Sequence, residues 1–227
     1  VKSDIKEALS NFIDFYTVKN KIYGRGEDLY HFGYFVSQND VIDRLIYTVT
    51  KITSLLEKYP YLFKDKSLLD YGCGTGEHSF ILSHFCSSID CFDPEPSHNY
   101  LLHNLFDSSN QINVISEKDC FETHYDTVFV SGVLECVPDY VNWFNTLCSK
   151  LHCKNIILIF APDEERLVDG YSKTYRYLDD SKYQTTTNEK ELLQSIEGLN
   201  LIDRFSFITQ GHQHSNHKKV IHIYEKN

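Results

Sequence analysis

LLDYGCGTGEHSF, Leu68 to Phe80, is the stretch on which the reading of this chain turns. A short apolar run, Ser67 to Tyr71, leads into three glycines at alternate positions, Gly72, Gly74 and Gly76, and a helical pattern opens at Glu77. A glycine directly after a buried strand lets the main chain approach a ligand closely, and the helix start beyond it offers N–H groups to an anion. The spacing is GxGxG. It is neither the GxGxxG of dinucleotide folds nor the GxxxxGK(S/T) of phosphate loops. Taken alone, such a loop is a ligand cradle or only a tight strand-to-helix turn.

The next strand sharpens the choice. SIDCFD ends in Asp93, twenty-three positions beyond Asp70. An acidic side chain at the end of the adjacent strand is placed to accept both hydroxyls of a ribose. An Asp before Pro94 is also a routine turn former, but beside the glycine loop the ribose reading is favoured.

Outward from this pair the chain alternates short apolar strands with helical stretches. INVIS, YDTVFVSG and NIILIFA read as further strands, and about Ser97 to Phe106 and Asp139 to Leu151 as helices. Alternation at this interval means a parallel sheet covered on both faces. Upstream, Ile5, Ala8, Leu9, Phe12, Ile13 and Tyr16 share helical spacing. Val41, Ile42, Leu45, Ile46, Val49, Ile52, Leu55 and Leu56 form a second stripe, stopped near Pro60. Between them IYGRGEDLYHFGYF, Ile22 to Phe35, has no clean period and reads as a loop. Downstream, residues 162–186 are long, polar and tyrosine-rich, as an active-site lid or substrate wall would be. A short helix capped at Thr187 or Asn188 follows, and Glu191 is positioned to complete a capping box. The last two strands, LIDRFSFIT and KVIHIYEK, are too close for a helical crossover and should pair antiparallel. We expect one domain over residues 1–227: a helical cap over 1–60, and a core over 61–227 carrying the 162–186 insertion.

The bulk properties narrow the partners. The chain of 227 residues is 41% hydrophobic and 14% aromatic, enough for a true core. Its net charge is −10 and it has no dense basic run, which argues against nucleic acid or an anionic membrane surface. Seven scattered cysteines, never spaced CxxC, read as reduced thiols, and no metal site is expected. No membrane-length apolar run and no signal-peptide layout is visible, so a cytoplasmic protein, monomer or homodimer, is expected.

Taken together, LLDYGCGTGEHSF, IDCFDPEPSHNYLL and YDTVFVSGVLECVPD resemble the successive motifs of class I S-adenosylmethionine-dependent methyltransferases, over roughly Ser67 to Ala161. The resemblance implies an α/β, Rossmann-like fold: a mostly parallel seven-stranded sheet ending in an antiparallel hairpin, with helices on both faces. It implies S-adenosylmethionine as cofactor and S-adenosylhomocysteine as product. Asp70, Gly72, Cys73, Gly74 and Gly76 would border the methionine end, and Asp93 would hold the ribose with Phe92 or Pro94 beside the adenine. Asp119 and Cys120 would lie at the adenine amino group, and Ser131 to Leu134 would line the floor near the sulfonium. Cys136 stands where many relatives carry a His, so nothing inferred about that His carries over. The segment YGRGEDLYHFGYF resembles the part that folds over the cofactor in small-molecule members. There Tyr23, Arg25, Tyr30 and His31 are the candidates: an aromatic would face the sulfonium and Arg25 the cofactor carboxylate, although these aromatics can equally pack a helix on the sheet.

Methyl transfer from a sulfonium is an in-line displacement with a good leaving group, so positioning and desolvation do much of the work. A hydroxyl acceptor also needs a base. The candidates are His31, Glu135, His212 and His214. GHQHSNHKKVIH carries four histidines, read mainly as a solvated turn. Tyr30, Tyr171, Tyr175 and Arg176 are the candidate acceptor wall. The expected activity is methylation of a small molecule or sugar. The alternatives are a protein or nucleic-acid methyltransferase, and a non-catalytic cofactor-binding partner subunit.

Overall fold

The computed structural model describes residues 10–11, 38–106, 111–162, 174–176, 183–185, 187–210 and 216–227. Helix α1 (Gln38–Lys58) precedes a sheet built from β1 (Ser67–Tyr71), β2 (Ser88–Phe92), β3 (Ile112–Val114), β4 (His124–Ser131), β5 (His152–Phe160), β8 (Leu199–Gln210) and β9 (Asn216–Lys226). Helices α2 (Glu77–Leu82), α3 (Pro96–Phe106), α4 (Glu117–Glu122), α5 (Tyr140–Lys150) and α6 (Glu189–Ser195) connect them, and β6 (Thr174–Arg176) with β7 (Tyr183–Thr185) forms a separate two-stranded hairpin.

The strand order is β3-β2-β1-β4-β5-β9-β8. β1 to β5 run parallel, while β9 is antiparallel to β5 and β8 to β9. This is the expected fold with its terminal hairpin. The order reverses between β1 and β2 on one side and β1 and β4 on the other, so the ligand crevice of an open sheet falls at the carboxyl end of β1.

Side-chain alternation explains why the central strands are apolar throughout. Leu68, Phe129, Ile157, Ile159, Ile221 and Ile223 face α1, α2 and α3, whereas Leu69, Val128, Val130, Ile156, Leu158, Phe160 and Tyr224 face α5 and α6. Each strand therefore supplies two cores at period 2, and a helix covers each. α1 is clamped at its end: Tyr59 stacks on Phe205 of β8 with centroids 6.2 Å apart, and Lys58 Nζ lies 2.5 Å from Asp203 Oδ2, which Tyr59 also reaches through its hydroxyl.

Several local expectations change. α4 was not foreseen, because six residues are too few to show a period; it is held by a capping box between Ser116 and Asp119. Part of the 162–186 segment forms the β6–β7 hairpin. The Asn188 cap accepts the Glu191 N–H, but the Glu191 carboxylate accepts from Tyr140 Oη at 2.7 Å, and that hydroxyl accepts the Asn188 N–H at 3.1 Å. The reciprocal half of the box thus runs through a tyrosine on α5. His222 belongs to no solvated turn: fully buried in β9, it lies 2.6 Å from Glu189 Oε1 and 2.6 Å from Tyr224 Oη. Burial holds its imidazole below the usual range. No helix among the described residues is long and apolar enough to cross a membrane.

Candidate functional site

The glycine loop closes on β2. The amides of Gly72 and Cys73 both donate to Phe92 O, at 2.7 and 3.1 Å. All three glycines sit in the left-handed region, at φ +76, +58 and +81 for Gly72, Gly74 and Gly76. Two are also demanded by packing, since a Cβ on Gly72 would stand 2.4 Å from Val133 Cγ2 and one on Gly76 2.6 Å from Phe106 Cε2. Among the described residues, a Cβ on Gly74 would meet nothing within 4 Å, so the face of Gly74 is bare of them.

Asp93 borders that face. Its Oδ2 accepts the Gly74 N–H at 2.8 Å, and its Oδ1 accepts the Glu95 N–H at 2.9 Å and a bond from His98 Nδ1 at 2.8 Å. The link between Gly74 and Asp93 fixes the glycine loop against the acidic end of β2.

Beneath the loop Asp70 is buried and accepts from Ser79 Oγ at 2.6 Å. Burial pushes its carboxyl up to about 7; Glu77 and Asp93 add to the rise, against the Ser79 bond and the charge of Lys51. Lys51 comes from α1. Its ammonium is buried, 3.2 Å from His78 Nε2 and 3.5 Å from Ser131 Oγ at the end of β4. Asp70, Glu77, Lys51, His78 and Ser131 thus gather where β1 and β4 end.

Several expected site residues take other roles. Cys73 turns its thiol into the core beside Cys91, and Cys120 and Leu134 are fully buried core residues, so none of the three offers a side chain to the crevice. Asp119 spends its carboxylate on Ser116, accepting from its Oγ at 2.6 Å and its N–H at 3.2 Å. Glu135 is no general base. It is buried, and its Oε1 accepts the Ala161 N–H at 2.8 Å and lies 2.9 Å from Lys219 Nζ. Burial pushes its carboxyl up, but the Lys219 ammonium and the backbone N–H groups outweigh this and hold it below its ordinary value. Ser131, the last residue of β4, is half-buried, and Pro94, two residues beyond β2, is exposed.

Tyr23, Arg25, Tyr30, His31, Tyr171, His212 and His214 lie outside the described residues. Tyr175 and Arg176 lie in β6, paired with Gln184 and Tyr183 of β7. β7 lies against the Leu134–Cys136 turn that follows β4. Lys51 and His78 were missed by the sequence reading. The available signal was helical phase: Lys51 is four residues before Leu55 and three after Thr48, on the buried side of its helix.

Residues 41–206 match the family model described as a methyltransferase domain. No protein of curated function matches the sequence. Among solved structures, magnesium protoporphyrin IX methyltransferase from Synechocystis PCC 6803, with bound SAH, is similar at 18% identity and TM-score 0.59, covering 93% of this chain and 99% of that one. A SAM-dependent methyltransferase from Anabaena variabilis is similar at 12% identity and TM-score 0.62, over 80% of this chain and 86% of that one. An S-adenosylmethionine-dependent methyltransferase from Clostridium acetobutylicum gives 13% and 0.58, over 93% and 99%. At these identities the likeness is one of fold.

Proposed function

The chain belongs to the methyltransferase-domain family and uses S-adenosylmethionine, and on that premise we propose that it methylates a small organic acceptor. The site fits the cofactor on its own chemistry. Gly74 leaves room for a ligand against the main chain. Asp93 is an acceptor for the ribose hydroxyls, while Asp70 and Glu77 lend negative charge to a ligand with two cationic groups. Lys51, rather than Arg25 alone, is the cation we assign to the methionine carboxylate.

When bound, the cofactor supplies an electrophilic methyl on sulfur. The protein's part is to orient that end and to exclude water. Ser131 to Val133 would border the approach of the acceptor. Since Glu135 is committed to Lys219, a hydroxyl acceptor would draw its base from His31, His212 or His214, whereas a neutral amine would need none.

The observation that supports a small acceptor is the β6–β7 hairpin, which carries Tyr175, Arg176 and Tyr183 and whose second strand lies against the turn after β4. A hairpin over that side narrows the entrance, and the net charge of −10 disfavours a nucleic-acid substrate. The test is incubation with methyl-labelled S-adenosylmethionine and a cell extract separated into metabolite, protein and nucleic-acid fractions. Label in the metabolite fraction is expected. Label confined to protein or nucleic acid would overturn the reading.

A further inference from the structure

We propose that His98 is a positioning residue for the cofactor ribose, acting through Asp93; this rests on the assignment of Asp93 to the ribose hydroxyls. The first turn of α3 turns two consecutive side chains onto one residue. Asn99 grips the main chain of Asp93: its Nδ2 donates to Asp93 O at 2.6 Å, and its Oδ1 accepts the Asp93 N–H at 3.3 Å. His98 grips the carboxylate, with Nδ1 2.8 Å from Oδ1 and side-chain exposures of 16% and 9%. The whole of Asp93, backbone and side chain, is thereby fixed to the start of α3.

A carboxylate is free to rotate about its last bond and offers about four acceptor sites. Here three donors set its plane: the Gly74 and Glu95 amides and the His98 imidazole. Two of them are main-chain groups. His98 supplies the only side chain among the three. Held this way, Oδ1 is filled and Oδ2 keeps one acceptor site aimed at a ribose hydroxyl without first reorganising, and an acceptor already in place binds more tightly than one that must be ordered. The pattern was not legible beforehand, because His98 and Asn99 read as ordinary polar residues in a helix's first turn.

The experiment is calorimetric titration with S-adenosylhomocysteine and with an analogue lacking both ribose hydroxyls. In the wild type the hydroxylated ligand is preferred. His98→Ala is expected to weaken it by about tenfold, the scale of losing one charge-assisted hydrogen bond. The analogue should be unaffected, so the preference collapses. His98→Asn, whose amide stands near the Nδ1 position, should keep the preference, and His98→Gln should lose it, a comparison that holds even if the alanine variant does not fold. Unchanged preference in both His98→Ala and His98→Gln would overturn the role of His98. Asp93→Ala separates the two claims: if it too retains the preference, the ribose assignment of Asp93 is wrong.

Discussion

Lys51 Nζ lies 3.2 Å from His78 Nε2, so an ammonium from α1 meets an imidazole from α2 at the carboxyl end of the sheet. A buried cation is costly unless something negative compensates it. Asp70 and Glu77 are buried in the same cluster, and burial pushes the Asp70 carboxyl up to about 7.

If Lys51 serves the methionine carboxylate, its removal hurts only ligands that carry one. Lys51→Met should weaken S-adenosylhomocysteine by about tenfold or more. 5′-Methylthioadenosine, which lacks the amino-acid part, should bind as before. Equal losses for both ligands, measured by calorimetry, would assign Lys51 to packing alone.

The glycines should divide by what faces them. Gly76→Ala combines a left-handed φ of +81 with a Cβ 2.6 Å from Phe106, and should cost about 1–3 kcal/mol in thermal or denaturant unfolding. At Gly74 the added methyl meets no described residue within 4 Å, so Gly74→Ala is expected to carry only the backbone penalty of about 1 kcal/mol. Its main effect should be lost cofactor affinity. A Gly74→Ala protein that binds S-adenosylmethionine like wild type would remove Gly74 from the cradle.

Asp70 gives binding a pH dependence of defined sign. Its carboxyl, pushed up to about 7 by burial, is largely protonated below neutrality in the unliganded protein. Its contribution to stability is full below its unfolded value of 3.8 and is lost as pH rises through about 7. Cofactor binding runs the other way, because a cationic ligand favours the carboxylate. Affinity for S-adenosylmethionine should rise about tenfold between roughly pH 6 and pH 8, with proton release on binding, and Asp70→Asn should flatten this profile. A flat profile in the wild type would show that the Asp70 charge does not reach the ligand.

Glu135 should behave as a structural ion. Glu135→Ala leaves Lys219 buried without this partner and should cost about 3–5 kcal/mol. The double variant Glu135→Leu with Lys219→Met should recover most of that loss in chemical denaturation. Failure of the double variant to recover would mean that the carboxylate does more than balance Lys219.

The sheet was legible because its signals are local. Alternation at Leu68 and Leu69 and the apolar run at Ile156 to Phe160 mark strands covered on both faces, and the short gap before β9 forces the antiparallel hairpin. Gly74 and Asp93 were legible as a pair for the same reason: each follows the end of a strand, and β1 and β2 are neighbours. What was missed arises between elements. Lys51 becomes a candidate only because α1 packs beside α2, and Glu135 is taken up by Lys219, eighty-four positions away, and by the Ala161 N–H. Cys120 and Leu134 come after strands as family pattern requires, yet α4 and the turn after β4 carry their side chains into the core.

S-adenosylmethionine is expected to lie between Gly74 and Asp93. Calorimetric titration of the intact chain with S-adenosylmethionine and S-adenosylhomocysteine tests it most directly. Saturable binding of both is expected, one ligand per chain. No binding of either would contradict it.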